Sequence, residues 1–466
     1  MLFHSYTFAV FFVTVAALHA LTPVAGRRYV LLVSSYVFYA SWNPTYAFLI
    51  LTSTVIDYLA AGAIHRAQEP QRRRRFLTLS LATNLGLLGI FKYYNFLSAS
   101  LTEMLSLRLP LHELLLPVGI SFYTFQSMSY TIDVYRGRCE PARDFVDLAL
   151  FVSFFPQLVA GPIVRAVDFL PQLVAASRRT PEHIRAGLKL FLLGLFKKIV
   201  IADNLSLLVD RVHQAPGDFS GGDLWISAYA FAFQIYFDFS GYSDMAIGLA
   251  KLLGFQFPDN FRRPYCAVNM SDFWRRWHIS LSTWLRDYLY ISLGGNRGGT
   301  SRTLRNLMLT MALGGLWHGA NWTFIAWGVL HGLFLIVHRL FRGLAEGHHA
   351  VRRLAASRSM IPIWVLLTFH GWVISMVLFR AASIDVAGDM LVRMFWLGGD
   401  FTITATSTLL LCAVLYAAHV AEELYSLFDR FDRWPLALRV VILAATVWAM
   451  ILFTPDSVEP FLYFQF

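Results

Sequence analysis

Residues 314–332 read GGLWHGANWTFIAWGVLHG. The stretch holds two histidines, His318 and His331, four large aromatic rings and five glycines, and no charged side chain. Its length is close to the ~20 apolar residues of a bilayer-crossing helix. A polar ring in such a segment must be hydrogen-bonded or lie beside a wet path, so each imidazole asks for a reason.

Working outward, apolar runs recur along nearly the whole chain: Phe8 to Leu21, Tyr46 to Ile64, Leu77 to Phe91, Ile361 to Leu378 and Val440 to Phe453. Of 466 residues, 57% are hydrophobic and 15% charged, where a soluble domain carries roughly 25% charged residues. The chain therefore reads as an all-α, polytopic integral membrane protein. A barrel is excluded because alternating strands of roughly ten residues are absent, and only helices then satisfy the backbone in lipid. The runs predict roughly ten to twelve crossings with one or two re-entrant or interfacial pieces. LLLPVGISFYTFQSMSYTIDVY (Leu114–Tyr135) and FVSFFPQLVAGPIVR (Phe151–Arg165) carry Pro and Gly inside apolar sequence, the pattern of broken helices around a polar cavity. No linker or fixed-period repeat divides the chain, so residues 1–466 read as one membrane-embedded domain with its motifs concentrated in 117–342.

The net charge of +10 does not mark a nucleic-acid binder, because the arginines are scattered through short segments between apolar runs. Nothing basic precedes the first run, Arg27 and Arg28 follow it, and the third run ends at HRAQEPQRRRRF. The positive-inside rule then predicts an outside, periplasmic N-terminus and a cytoplasmic Arg72–Arg75 cluster. The start, MLFHSYTFAVFF, lacks the basic region of a cleaved signal, so a retained first helix is expected. Cys139, Cys266 and Cys412 have neither a disulfide pattern nor metal-type spacing.

Three stretches carry chemistry. In QIYFDFSGYSDMAIGLAKLLGFQF (Gln234–Phe257), Asp238, Ser240, Tyr242, Ser243 and Asp244 interrupt a helix-length apolar run. A charged carboxylate at a helix centre costs ~3 kcal/mol, so it must find partners or water. Ser240, Gly241, Ala246 and Gly248 would let another helix approach. The aspartates are either a hydrogen-bonded knot between helices or the wall of a buried polar chamber. In MSDFWRRWHISLSTWLRDYLYISLGGNRGG (Met270–Gly299), Ser271 or Asp272 can cap a helix that no Pro or Gly interrupts before Gly294. Trp274, Trp277, Leu281, Trp284 and Tyr288 form one stripe on it, with Arg275, Ser282 and Arg286 elsewhere. That is an amphipathic helix suited to the membrane interface. His278, beside the stripe, is either an interfacial histidine or a site residue.

The third stretch is the first one quoted. In a continuous helix turning ~100° per residue, positions 318 and 331 point about 140° apart. His318 and His331 then face different ways unless the helix breaks. His331 shares its face with Phe324, Trp327 and His338, a setting for a structural histidine. His318 has Gly314 and Gly315 one turn before, Gly319 next and Trp322 one turn after, small residues that clear space as a substrate passage would require. An imidazole of pKa near 6.5 can take the proton of an attacking hydroxyl. No further metal ligands stand at compatible spacing, and no G-x-S-x-G elbow is present.

Together these stretches resemble the membrane-bound O-acyltransferase family, in the branch that O-acetylates bacterial exopolysaccharides such as alginate. The resemblance is carried by FDFSGYSDMAIG (237–248), NFRRPY (260–265), the Met270–Gly299 segment and GGLWHGANWTFIAWGVLHG. PVGISFYTFQSMSYTIDVYRG (117–137), FFPQLVAGPIVR (154–165) and LFRAAS (378–383) add to it. It implies helices around a central funnel and His318, in the WHG triplet, as catalytic base. His278 is the counterpart of a second polar position upstream. Asp238, Asp244, Tyr242, Trp317 and Asn321 are then expected to line or shape the chamber. The resemblance implies no bound cofactor or metal and a cytoplasmic thioester donor, acetyl-CoA or another. It further implies a periplasmic acetyltransferase partner, a polysaccharide acceptor and residence in the bacterial inner membrane. One departure is His370, where an apolar residue is expected. D-alanyl transfer to teichoic acid, peptidoglycan O-acetylation, and a transporter or flippase without chemistry of its own are the alternatives.

Overall fold

The computed structural model describes residues 1–106, 110–112, 114–159, 161–174, 180–396, 403–455 and 460–462. Among these residues there are helices and no strand, as the composition requires. Among the described residues six helices are long and apolar enough to cross a membrane: Pro44–Arg66, Pro70–Leu105, Trp322–Gly347, Arg358–Arg380, Thr406–Tyr425 and Leu436–Phe453; Tyr6–Leu21 is a shorter apolar helix. The apolar runs predict roughly ten to twelve crossings, and several of these runs form helices shorter than those six. Val24–Ala40 has 17 residues and Ile120–Tyr135 has 16. FVSFFPQLVAGPIVR contains Ala160, outside the described residues. Its remainder holds the end of helix Phe145–Ser153, the short helix Phe155–Leu158 and irregular backbone that is nonetheless buried. Such backbone is tolerated at membrane depth where protein covers it.

By its internal contacts the chain divides into two compact units, Met1–Leu193 with Tyr242–Asp259, and Gly194–Gly241 with Asn260–Phe466. The first is built on helices Pro44–Arg66, Pro70–Leu88 and Ile120–Tyr135, which pack around a fully buried Asp57. Its carboxylate accepts from the hydroxyls of Ser80 and Ser127 and, at 3.0 Å, from Asn84 Nδ2. A carboxylate between apolar helices requires such donors. Tyr242 stacks on Phe3 at 4.5 Å. Gly248 meets the Pro181–Phe196 helix so closely that an added Cβ would lie 2.7 Å from Gly187 O, the close approach expected of the small residues in 240–248.

The second unit holds helices Asp203–Gln214, Thr300–His318, Trp322–Gly347, Ile361–Arg380, Ile403–Tyr425 and Leu436–Phe453, and the first part of Gly221–Leu252. Thr300–His318 and Trp322–Gly347 form a tight hairpin. A Cβ on Gly315 would overlap Phe324 O and one on Gly328 would overlap Met311 O, so only glycine lets the two backbones touch. Leu436–Phe453 buries none of its side chains, which suits a lipid-facing helix. The core of this unit is aromatic, with Phe233, Tyr265, Trp277, Trp327 and Trp372 all buried.

Candidate active site

The Met270–Gly299 segment is not one helix. Asn269, rather than Ser271 or Asp272, caps Met270–Arg276, its side chain accepting from Asp272 N at 2.9 Å. The chain then breaks at His278 and resumes as Ile279–Trp284, followed by a π-helical turn, Leu285–Tyr290. The stripe of Trp274, Trp277, Leu281, Trp284 and Tyr288 is buried, so the expected interfacial stripe is a core stripe. Trp277 packs on Trp372 at 4.6 Å and Trp274 on Trp327 at 5.9 Å. Rings that could have sat among headgroups find aromatic partners on other helices instead. Arg275 and Arg286 do point outward.

The break has a local cause. His278 has φ +42°, a left-handed conformation that costs a non-glycine residue about 1–2 kcal/mol. Asn260 holds it there. Its carbonyl accepts from Ile279 N at 2.9 Å, and its side-chain Oδ1 accepts from Ser280 N at 3.2 Å and Ser280 Oγ at 2.9 Å. His278 Nδ1 lies 3.2 Å from the same Oδ1. A backbone N–H can only donate, so the atom facing Ser280 N is the amide oxygen and His278 must donate to it from Nδ1. That selects the Nδ1–H tautomer and leaves the basic lone pair on Nε2. The imidazole is fully buried, edge-on to Phe239 at 4.6 Å.

The helix through residues 314–332 also breaks. His318 is the last residue of one helix, and Trp322 opens the next after Asn321 caps it. A separation of about 140° needs a continuous helix, and the hairpin removes it: Trp327 packs edge-on to His318 at 5.1 Å and also packs against His331 at 4.6 Å. The glycines do not clear a passage beside His318. Gly315 serves the hairpin, and a Cβ on Gly319 would overlap the Phe324 ring. Space is closed by aromatic rings instead: Trp317 at 5.0 Å, Trp327 at 5.1 Å and Phe379 at 5.3 Å, all edge-to-face with the His318 ring. Trp317 also lies 6.2 Å from His278, so one indole adjoins both histidines.

His331 Nε2 lies 3.0 Å from Ser375 Oγ, whose own hydrogen goes to Trp372 O. His331 therefore donates from Nε2 and is anchored between helices. His370 donates from Nδ1 to Leu366 O and faces Tyr229 OH at 2.8 Å, so both of its nitrogens are engaged. Asn321 accepts from Thr323 N and donates to Ala382 O, closing the turn after His318.

Asp238 is paired. Lys198 Nζ lies 2.7 Å from Asp238 Oδ1 and 2.7 Å from Asp203 Oδ1, with all three side chains buried. Lys198 was missed by sequence reasoning, although the pair of lysines inside the otherwise apolar GLFKKIVIA was a signal. Asn260 stood in a quoted motif without a role. Tyr242 and Asp244 belong by their contacts to the first unit. The structure thus brings His278, Trp317 and His318 together in the second unit, with Asp238 on the same helix turn as Phe239, which packs on His278.

Residues 143–380 match the membrane-bound O-acyltransferase family. Over the whole length of both proteins the chain is 41% identical to the Azotobacter vinelandii protein named "Probable alginate O-acetylase AlgI". The chain belongs to the membrane-bound O-acyltransferase family. It is also 45% identical to the Pseudomonas aeruginosa protein of the same name, over 85% of this chain and 75% of that one. To the Helicobacter pylori "Peptidoglycan O-acetyltransferase" it is 39% identical, over 82% and 76%. This membrane-bound O-acyltransferase is thus a multi-pass membrane enzyme, and the transporter without chemistry is set aside. In the acyltransferase, an imidazole walled by three aromatic rings can receive a proton away from bulk water.

Proposed function

We propose that the enzyme takes an acetyl group from a cytoplasmic thioester, acetyl-CoA, and passes it across the membrane toward hydroxyls of a periplasmic or extracellular polysaccharide. End-to-end likeness to a protein named as an alginate O-acetylase supports alginate as that polysaccharide. In this reading His318 is the general base. It takes the acceptor hydroxyl's proton as the oxygen bonds to the acyl carbon; the C–S bond breaks, and the departing thiolate takes that proton back. His278, set by Asn260 with its lone pair on Nε2, polarises the reacting groups, and Trp317 packs on both imidazoles. Asp238 shapes the chamber from within the same unit. A periplasmic acetyltransferase partner completes delivery. The N-terminus is periplasmic, a reading supported by Arg27, Arg28 and the Arg72–Arg75 cluster on the opposite side.

The observation that carries this reading is the enclosure of His318 by Trp317, Trp327 and Phe379. The test offers purified enzyme radiolabelled acetyl-CoA and, separately, a D-alanyl-charged carrier protein. Loss of acetyl from CoA alone supports the proposal, and deacylation of the carrier alone would overturn it. Whether label accumulates on alginate or on peptidoglycan in intact cells separates the two acceptors.

A further inference from the structure

The interior beside His278 is completed by a segment far away in sequence. Phe461 is fully buried and Leu462 nearly so. Leu462 N donates to Asp238 Oδ2 at 3.0 Å, while Lys198 holds the other oxygen of that carboxylate. One residue from this latch, the Phe461 ring packs on Phe239 at 5.5 Å. Phe239, itself fully buried, meets His278 edge-on at 4.6 Å. The order is therefore Lys198, Asp238, Leu462 for the latch, and Phe461, Phe239, His278 for the wall. A buried backbone N–H must find an acceptor, and a buried carboxylate in an apolar core is a costly way to supply one. Holding a short apolar segment at a defined depth gives that arrangement a purpose.

We propose that residues Pro460–Leu462 are a working part of the transfer site: latched by Asp238, they back Phe239 so that the His278 ring keeps its place and water is excluded from it. Phe461 is then a positioning residue acting through Phe239. The inference deepens the acyltransferase reading and rests on it for its kinetic consequence only.

The test uses the full chain in detergent, comparing wild type with Phe461→Ala and Phe461→Leu. Carbethoxylation of His278 by diethyl pyrocarbonate, followed by peptide mass spectrometry, reads access to the ring without any turnover. Phe461→Ala is expected to speed His278 labelling by about tenfold or more, as local opening does. His331 labelling should stay at its wild-type rate, and Phe461→Leu, which refills the volume, should restore protection. On acetyl-CoA the alanine variant should raise the ratio of hydrolysis to transfer, water's oxygen bonding to the acyl carbon as the C–S bond breaks to give acetate and free thiol. Unchanged His278 labelling in Phe461→Ala overturns the proposal, as does equal acceleration at His331, which would mean general loosening. If the alanine variant does not accumulate, Phe461→Val is read the same way. Should wild-type enzyme leave acetyl-CoA intact, the donor reading fails while the labelling result still decides the role of Phe461.

Discussion

Asn260 Oδ1 accepts a hydrogen bond from His278 Nδ1 at 3.2 Å, and the Asn260 carbonyl fastens the next residue, Ile279, at 2.9 Å. One asparagine thus sets both the tautomer of the imidazole and the left-handed turn that carries it. Asn260→Ala removes the side-chain half of this arrangement. Acyl transfer should fall roughly 10²-fold, the cost of an approximately 1 Å misplacement of a reacting group. Stability should fall by about 1–3 kcal/mol through the unsatisfied Ser280 donors. Asn260→Asp, which keeps the acceptor, should retain more of both. Kinetics paired with thermal denaturation in detergent checks this.

His318→Ala should leave protein level and helical content near wild type while lowering acetyl transfer about 10²- to 10⁴-fold, the range lost with a general base. Surface acetylation in cells, measured beside membrane protein abundance, decides it. Normal acetylation at normal abundance would remove His318 from the chemistry.

His331 has a different prediction. Ser375→Ala deletes its hydrogen-bond acceptor and should cost roughly 0.5–1.5 kcal/mol of stability, with transfer reduced no more than abundance is. A loss of rate with unchanged stability would instead draw His331 into the reaction.

Lys198→Met leaves Asp203 and Asp238 buried without their shared cation. Breaking such a buried group by removing one partner costs about 3–5 kcal/mol. The triple variant Lys198→Met, Asp203→Asn, Asp238→Asn should recover a large part of that loss. Fluorescence-detected thermal unfolding of the single and triple variants tests it, and failure of the triple to recover would show that the charges hold more than one another.

Gly328→Ala places a methyl against Met311 O in the hairpin. Overpacking of this kind costs typically 1–3 kcal/mol. Because Trp327 adjoins Gly328 and walls His318, transfer should fall by more than the lost stability explains. Gly343→Ala, where no atom lies within 4 Å, is the control and should be silent.

Class and family were legible in the chain itself. Apolar runs with little charge can bury themselves only in lipid, and in lipid the backbone closes its hydrogen bonds within helices. The spacing of FDFSGYSDMAIG, the Trp-rich segment and WHG carried the family. Small residues in 240–248 announced a close helix contact, which Gly248 makes against Gly187. Helical periodicity failed wherever the chain breaks, because a break depends on partners distant in sequence. Nothing within Met270–Gly299 reveals that Asn260 will support a left-handed histidine at 278. Nothing within 314–332 shows that Gly315 and Gly328 will be used to join two helices rather than to open a passage. The Trp stripe was legible as a stripe, but only the rings of Trp327 and Trp372 decide that it lies in the core and not among headgroups.

Lys198 beside Asp238, and Phe461 behind Phe239, are pairings across 40 and 222 positions that no local pattern encodes. Sequence by itself determined the solvent, the helices and the histidine worth testing, because those follow from the composition and order of neighbouring residues. Tertiary structure alone decided which charges meet, which tautomer His278 holds and which rings enclose His318, because each depends on atoms that only folding brings within a few ångströms.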